Sequence, residues 1–115
     1  PIYVPSDIRF KTGIAPLTGA LEKLDQVQAV AFERNELGQS LGQGGDRREL
    51  GLLAQELEQV YPELVTRYGP EAYRAVDYGR LTVVLLEAIK ELKAEQAQLK
   101  ARLRALEEEE SQRPQ

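Results

Sequence analysis

The chain contains no cysteine, histidine, methionine or tryptophan, and only five tyrosines and two phenylalanines among 115 residues. Without cysteine there are no disulfides and no thiolate chemistry. Without histidine, the Ser-His and Cys-His nucleophiles and the usual zinc ligand sets are excluded as well. Any covalent chemistry must therefore draw its base from lysine, a carboxylate or a terminal amine, and no metal or cofactor is expected. Positive charge is in deficit, with 15 Lys and Arg against 19 Asp and Glu. A net charge of -4 gives no electrostatic case for nucleic acid or an anionic membrane as partner. No apolar run approaches the roughly eighteen residues of a membrane span, and no signal peptide is present, so the piece reads as soluble. Its first residue is Pro1 rather than Met, which reads as a fragment or a processed product.

What the chain has in quantity is helix-forming residues, concentrated in its last third. From residue 81 to 110 there is no Gly or Pro, and Ala, Leu, Glu, Lys, Gln and Arg dominate. Large apolar residues fall at Leu85, Ile89, Leu92, Leu99, Leu103 and Leu106, with Gln96 filling the skipped place. This is a heptad seam with Ile89, Gln96 and Leu103 at a, and Leu85, Leu92, Leu99 and Leu106 at d. Below Leu92 the seam is too narrow to be one face of a globular core. Above it Leu81, Val84 and Ala88 widen the stripe. Such a helix is expected to pack on its own domain at the top and on copies of itself below. A polar a position commonly fixes register at some cost in stability, but leucine at d with mixed a residues does not choose between two strands and three.

The body before Leu81 is of a size at which a solitary core is marginally stable. Residues 1–5 read as an extended arm, since Pro5 keeps Val4 out of helical space. In residues 6–11, Ile8 and Phe10 alternate with Asp7, Arg9 and Lys11, which predicts a short half-buried strand. A helix follows with Leu17, Ala20, Leu21 and Leu24 on one face. Residues 27–33 are β-prone, 38–45 read as a flexible connection with four glycines, and 49–54 as a strand pairing back across it. Residues 55–60 read as a short helix stopped near Pro62, with Leu64 and Val65 closing it. A turn at Gly69 and Pro70 then leads to a third strand over 73–78. Asp77 is placed to cap the long helix. The acidic run Glu107 to Glu110 lies at the negative end of the helix dipole, where fraying is expected.

One pair of residues suggests chemistry, Ser6 and Lys11. A lysine activates a serine hydroxyl when burial disfavours the charged amine enough for its neutral form to take the proton. Five residues apart along a strand the two side chains point to opposite faces, and in a helix they lie about 140° apart. Either the segment bends, or a second chain supplies a partner, or the two are a turn serine and a solvated lysine. Elsewhere, Tyr61 to Leu64 read as a helix stop. Gln55 and Glu56 read equally as interface or capping residues, and Arg47 and Arg48 as solvated charge.

Four blocks in order, SDIRFK from Ser6, LTGALEKL from Leu17, LGLLAQELEQVYPELV from Leu50 and VDYGRLTVVLLEAIKELKAE from Val76, give the chain a recognisable likeness. It resembles the intramolecular chaperone auto-processing domain at the C-termini of phage endosialidase tailspikes, tail fibres and neck appendages. The myelin regulatory factor carries a similar domain. The likeness runs from Ser6 to about Leu99. It implies a domain that trimerises, helps an upstream β-rich fibre or spike of the same polypeptide to fold as a homotrimer, and then cuts itself off. Carried over residue by residue, it implies Ser6 as nucleophile, Lys11 as general base, Asp7 and Arg9 as orienting or structural motif positions, and Pro5–Ser6 as the scissile bond. It also implies a setting in the host cytoplasm during virion assembly, or in the phage tail or appendage where the domain is retained.

The resulting expectation is an α+β, mainly α chain: an arm at 1–5, a chaperone body of short helices and a few short strands at 6–80, a trimeric coiled-coil helix at 81–110 and a frayed tail at 111–115. Pro5 is a rigid acyl partner, and residues 1–5 are still attached, so a non-cleaving trimer cap of the same fold stands beside the self-cleaving chaperone. A plain coiled-coil adaptor is a third reading, disfavoured by the SDIRFK motif.

Overall fold

A computed structural model describes residues 2–44 and 47–114. In order they form a 3₁₀ turn (Ile8–Phe10), α1 (Ala20–Leu24), β1 (Ala29–Phe32), α2 (Glu36–Ser40), β2 (Glu49–Leu52) and α3 (Ala54–Val60). A second 3₁₀ turn (Pro62–Leu64), β3 (Val65–Tyr68), β4 (Tyr73–Val76) and α4 (Tyr78–Ser111) complete the chain. The architecture is α+β and mainly helical, drawn out by the last helix to 74 × 41 × 28 Å.

Two antiparallel hairpins supply the sheet structure. β1 pairs with β2 so that Ala29 faces Leu52 and Phe32 faces Glu49. β3 pairs with β4 so that Val65 faces Val76 and Tyr68 faces Tyr73. Gly69 turns the second hairpin at a φ of 74°, a left-handed conformation that a residue with a Cβ resists. The core is small: Ala20, Leu57, Tyr61, Leu64, Val84 and Ala88 are buried, with Leu17, Leu21, Leu24, Val60, Val65, Val76 and Leu81 packed around them. It brings α1, α3 and the second 3₁₀ turn onto the upper part of α4.

The start of α4 is set twice over. Asp77 caps it, its carboxylate accepting from Arg80 N at 3.0 Å. Tyr78 then reaches back to β2, where its hydroxyl accepts from Leu52 N at 2.9 Å. A Cβ on Gly51 would stand 2.7 Å from that hydroxyl, so glycine is what lets the helix press on the strand.

Several expectations need correction. Residues 6–11 are not a strand: Ile8–Phe10 is a 3₁₀ turn, and Ile8 and Phe10 are exposed rather than half-buried. Part of the expected glycine-rich connection is helical, because Asn35 accepts from Gly38 N at 3.0 Å and caps α2. That connection's Gly45 lies outside the described residues. The strand expected over 49–54 ends at Leu52, just before α3, and the one expected over 73–78 ends at Val76 and pairs with β3, a strand that has Val65, expected to close the helix, as its first residue. The long helix begins at Tyr78, and the acidic run remains helical up to Ser111, with an Arg113–Glu110 ion pair of 3.4 Å past its end.

Candidate functional site

The hexapeptide SDIRFK folds into a closed turn, and its own acid and base do the folding. Asp7 keeps an extended backbone (φ −67°, ψ 136°), which aims its carboxylate at the residues after it. The carboxylate accepts from Arg9 N at 2.9 Å, from Arg9 Nε at 3.1 Å and from Arg9 Nη2 at 2.8 Å. Phe10 N and Lys11 N then donate to the carbonyls of Asp7 and Ile8 at 3.0 and 3.1 Å. This is the bend that no regular element could supply. It carries Lys11 back over Ser6, and Lys11 Nζ donates to Ser6 Oγ at 2.8 Å.

Asp7 and Arg9 therefore shape the turn, and Ser6 and Lys11 are the pair it brings together. The guanidinium of Arg9 holds the Asp7 carboxyl below the usual carboxylate range, the Arg9 amide adding to this, and Arg9 is held above its own usual value in return. The Arg9 side chain is 82% exposed, so the ion pair adds little to global stability and its effect is positional. Because the folded Asp7 value is depressed, the turn's electrostatic support is present above the ordinary aspartate range and lost as pH falls through the lowered value.

Ser6 and Lys11 lie exposed on the single chain, and so do the neighbouring Ile2, Tyr3, Val4, Phe10 and Ile14. Pro5 directly precedes Ser6, so its carbonyl carbon is within reach of Ser6 Oγ through a five-membered ring. Serine and lysine at hydrogen-bond distance beside that carbonyl can perform an acyl shift, provided the amine is neutral.

The second set of expected residues lies along α4. Leu85, Ile89, Leu92, Leu99, Leu103 and Leu106 are between 44% and 64% exposed, with exposed Gln96 among them. Val84 and Ala88, on another face of the same helix, are buried in the body.

One residue of consequence had no signal in the sequence. Glu91 projects from α4 to the first turn of α1 and accepts from Gly19 N at 2.9 Å and from Leu21 N at 2.8 Å. Gly19 has no side chain with which to cap that helix, so a carboxylate seventy residues away does it. The Leu21 amide, with smaller help from Ala20 and Gly19, holds the Glu91 carboxyl below its usual range against the opposing effect of burial. Glu58 plays a similar part between α3 and the second hairpin, accepting from Arg74 Nε at 3.0 Å and from Arg67 Nη2 at 3.4 Å. Glu56 accepts from Gln28 N at 3.1 Å, just ahead of β1. Among the described residues no cluster of three or more acidic, cysteine or histidine side chains is arranged to hold a metal ion, and no helix is long and apolar enough to cross a membrane.

The chain is similar to the long tail fiber protein Gp37 of Enterobacteria phage K3, at 29% identity over 106 residues, and equally to that of Enterobacteria phage T2. Each alignment covers 89% of this chain but only 8% of the relative. Residues 6–66, which open on the serine of the closed turn, match the family described as chaperone of endosialidase. Since that match takes in more than half of its residues, the chain belongs to the chaperone of endosialidase family.

Proposed function

We propose that this chain is the C-terminal intramolecular chaperone of a phage fibre or spike protein, which trimerises the β-rich polypeptide upstream of it and then releases itself at Pro5–Ser6. The observation that carries the reading is the 2.8 Å contact between Lys11 Nζ and Ser6 Oγ, made next to the carbonyl to be attacked. Ser6 Oγ adds to the Pro5 carbonyl carbon while Lys11, as the neutral amine, takes the hydroxyl proton. The proton passes to the Ser6 nitrogen as the C–N bond breaks, leaving Pro5 esterified to Ser6 Oγ. Water hydrolyses the ester to a Pro5 carboxylate and a chain that begins at Ser6 with a free amine.

A lysine base requires a desolvated amine, and Lys11 is exposed on the single chain. This supports a cut that waits until neighbouring copies cover the turn. The half-exposed seam of α4 supports the assembly step, and the tail-fibre relatives support a fibre as the upstream partner. On this reading residues 1–5 are the arm that stays with the fibre, 6–80 the chaperone body, 81–110 the assembling helix and 111–115 a tail. The setting is the host cytoplasm during virion assembly. A non-cleaving trimer cap, resident in the tail or appendage, is the second reading, favoured by the ring of Pro5 at the attacked position.

The test is the intact mass of a longer polypeptide with a folded segment ahead of Pro1. A fragment beginning at Ser6 is expected, forming faster as pH rises and absent in Ser6→Ala, Lys11→Ala and Lys11→Arg, since a guanidinium cannot accept the proton. Cleavage by Lys11→Arg at the unmodified rate overturns the mechanism. If only Pro5→Ala releases the fragment, the ring is what stalls attack. If that variant also stays whole, the cap is the function.

A further inference from the structure

A groove runs between the two hairpins, lined by Phe32 and Arg34 from the first, by Gln55 of α3, and by Arg74, Ala75 and Val76 of β4. Three successive residues of β4 reach it, which marks the edge of a strand; a face would show alternate ones. The ladder says what that edge offers. Asp77 N donates to Leu64 O at 2.8 Å, one step beyond the pair of Val65 with Val76. Counting on in twos, Ala75 with Thr66 and Tyr73 with Tyr68 exchange the hydrogen bonds of the hairpin. Arg74 and Val76 therefore turn their N–H and C=O groups away from β3, onto an open edge that is a template for one more strand.

The guanidiniums of the groove are already matched, Arg34 by Glu49 at 2.9 Å and Arg74 by Glu58 at 3.0 Å. Gln43 accepts from Arg34 at 3.4 Å and donates to the Tyr68 hydroxyl at 2.9 Å. What is left to bind with is backbone, the exposed amide of Gln55 and aromatic surface, a lining for a neutral extended peptide rather than for an ion. Residues 2–4 answer to that chemistry. Ile2, Tyr3 and Val4 carry no charge, are 95%, 87% and 66% exposed, and make no hydrogen bond among the described residues. Their flanking prolines, Pro1 and Pro5, share the parity of Tyr3. Laid antiparallel on β4, Ile2 stands opposite Val76 and Val4 opposite Arg74, and both can give and take hydrogen bonds. Tyr3 falls opposite Ala75, whose small side chain leaves the ring room, and the prolines face away, where no donor is needed. A register shifted by one residue would aim Pro5 at the edge with no N–H to give.

We propose that the groove takes residues 2–4 of a second copy as an added strand on β4, so that each chain holds its neighbour's arm and the Pro5–Ser6 bond is presented only within the assembly. This rests on the self-association reading above and adds a contact made by the body, away from the seam of α4. In its own chain the arm lies open to solvent. One arm and one groove per copy make a head-to-tail contact, which a ring of copies closes without leaving either unfilled. Pairing through two residues is also weak enough to let the arm go once the bond is cut.

The experiment uses the full chain with Ser6→Ala, so that the arm stays attached, and relies on the absence of cysteine. One preparation also carries Tyr3→Cys and another Ala75→Cys; the two are unfolded together, refolded and oxidised. In the added strand these positions form a non-hydrogen-bonded pair, with the close spacing a disulfide needs. A disulfide between unlike copies is expected, identified by mass. Its yield should fall about fivefold or more with Ile2→Pro, which removes a donor from the paired side, and equally when Val4→Cys, on the other face, replaces Tyr3→Cys. Because the chain has no tryptophan, Tyr3→Trp gives a reading that needs no disulfide: the indole emission should move to the blue as copies assemble. If the chain assembles while the emission stays that of an exposed indole and no disulfide joins unlike copies, the groove does not hold the arm and self-association stands. Equal yields from Tyr3→Cys and Val4→Cys overturn the pairing. A blue shift already present at concentrations where the chain is monomeric gives the groove its own arm and overturns the exchange. A chain that is monomeric throughout removes both readings.

Discussion

The two halves of α4 share an exposed apolar seam and differ on a second face, which is apolar only in the upper half. In the upper half Val84 and Ala88 are buried under α1, and Glu91 is bound to the amides of Gly19 and Leu21. In the lower half Leu92, Leu99, Leu103 and Leu106 are all more than half exposed. No break in the helix separates the halves; only the width of the apolar stripe does. The residues that widen the stripe, Val84 and Ala88, find their cover within the chain, and the seam two residues wide is left for something outside it. Leucine content says that a helix will be stable, whereas the breadth of its apolar face says who covers it.

The sharpest way to break this contrast is to place a charge in each half. Val84→Asp puts an unpaired carboxylate into the small core beside Ala20 and Leu57, at a cost on the order of 4 kcal/mol. In so small a body this should abolish the cooperative melt seen by circular dichroism and, with it, any assembly. A melt within a few degrees of the unmodified chain would show that the upper half is not what holds the body.

Leu92→Asp with Leu99→Asp should act one level up. Sedimentation should give a monomer at tens of micromolar, and the melting temperature should fall and cease to depend on protein concentration. If the double variant still assembles at full strength, the lower seam is not the interface. The smallest effect is expected at the junction. Glu91→Gln removes the carboxylate that caps α1 and should lower the melting temperature by a few degrees. Because the folded Glu91 value is depressed, its contribution is present above the ordinary glutamate range and disappears as pH falls through the lowered value. The two melting curves should therefore converge in acid, and a gap that persists at low pH would mean the loss is one of packing alone.

The parts legible in the sequence were those governed by near neighbours. The heptad spacing and the cap at Asp77 needed nothing beyond their own segment, and α4 follows them. The reading of SDIRFK as a strand failed for an instructive reason. Alternating apolar and charged residues suit a half-buried strand, but Asp7 and Arg9, two apart, also satisfy each other across a tight turn, and the three hydrogen bonds between them win. Of the ways in which Ser6 and Lys11 could find a partner, the bend is the one present within the chain, and it is built by the residues between them. β3 was hidden because VTRY follows a helix stop without any turn signal, and it becomes a strand only through its pairing with YRAV. Glu91 was illegible in principle, since nothing near it in sequence marks Gly19 and Leu21 as donors in need of an acceptor.

That last contact has a consequence in time. A ribosome delivers Gly19 before Glu91, 72 residues later, so over that interval the amides at the head of α1 have no acceptor from α4. They gain one only after Glu91 itself has been made. The segment that carries Ser6 and Lys11 leads into α1 through residues 12–19, so the helix it runs into is capped only once Glu91 exists. Everything upstream has by then left the exit tunnel. A cut that depended on this anchorage would wait for Glu91 without any separate clock, and a polypeptide ended before that residue would remain uncut because its platform was never completed.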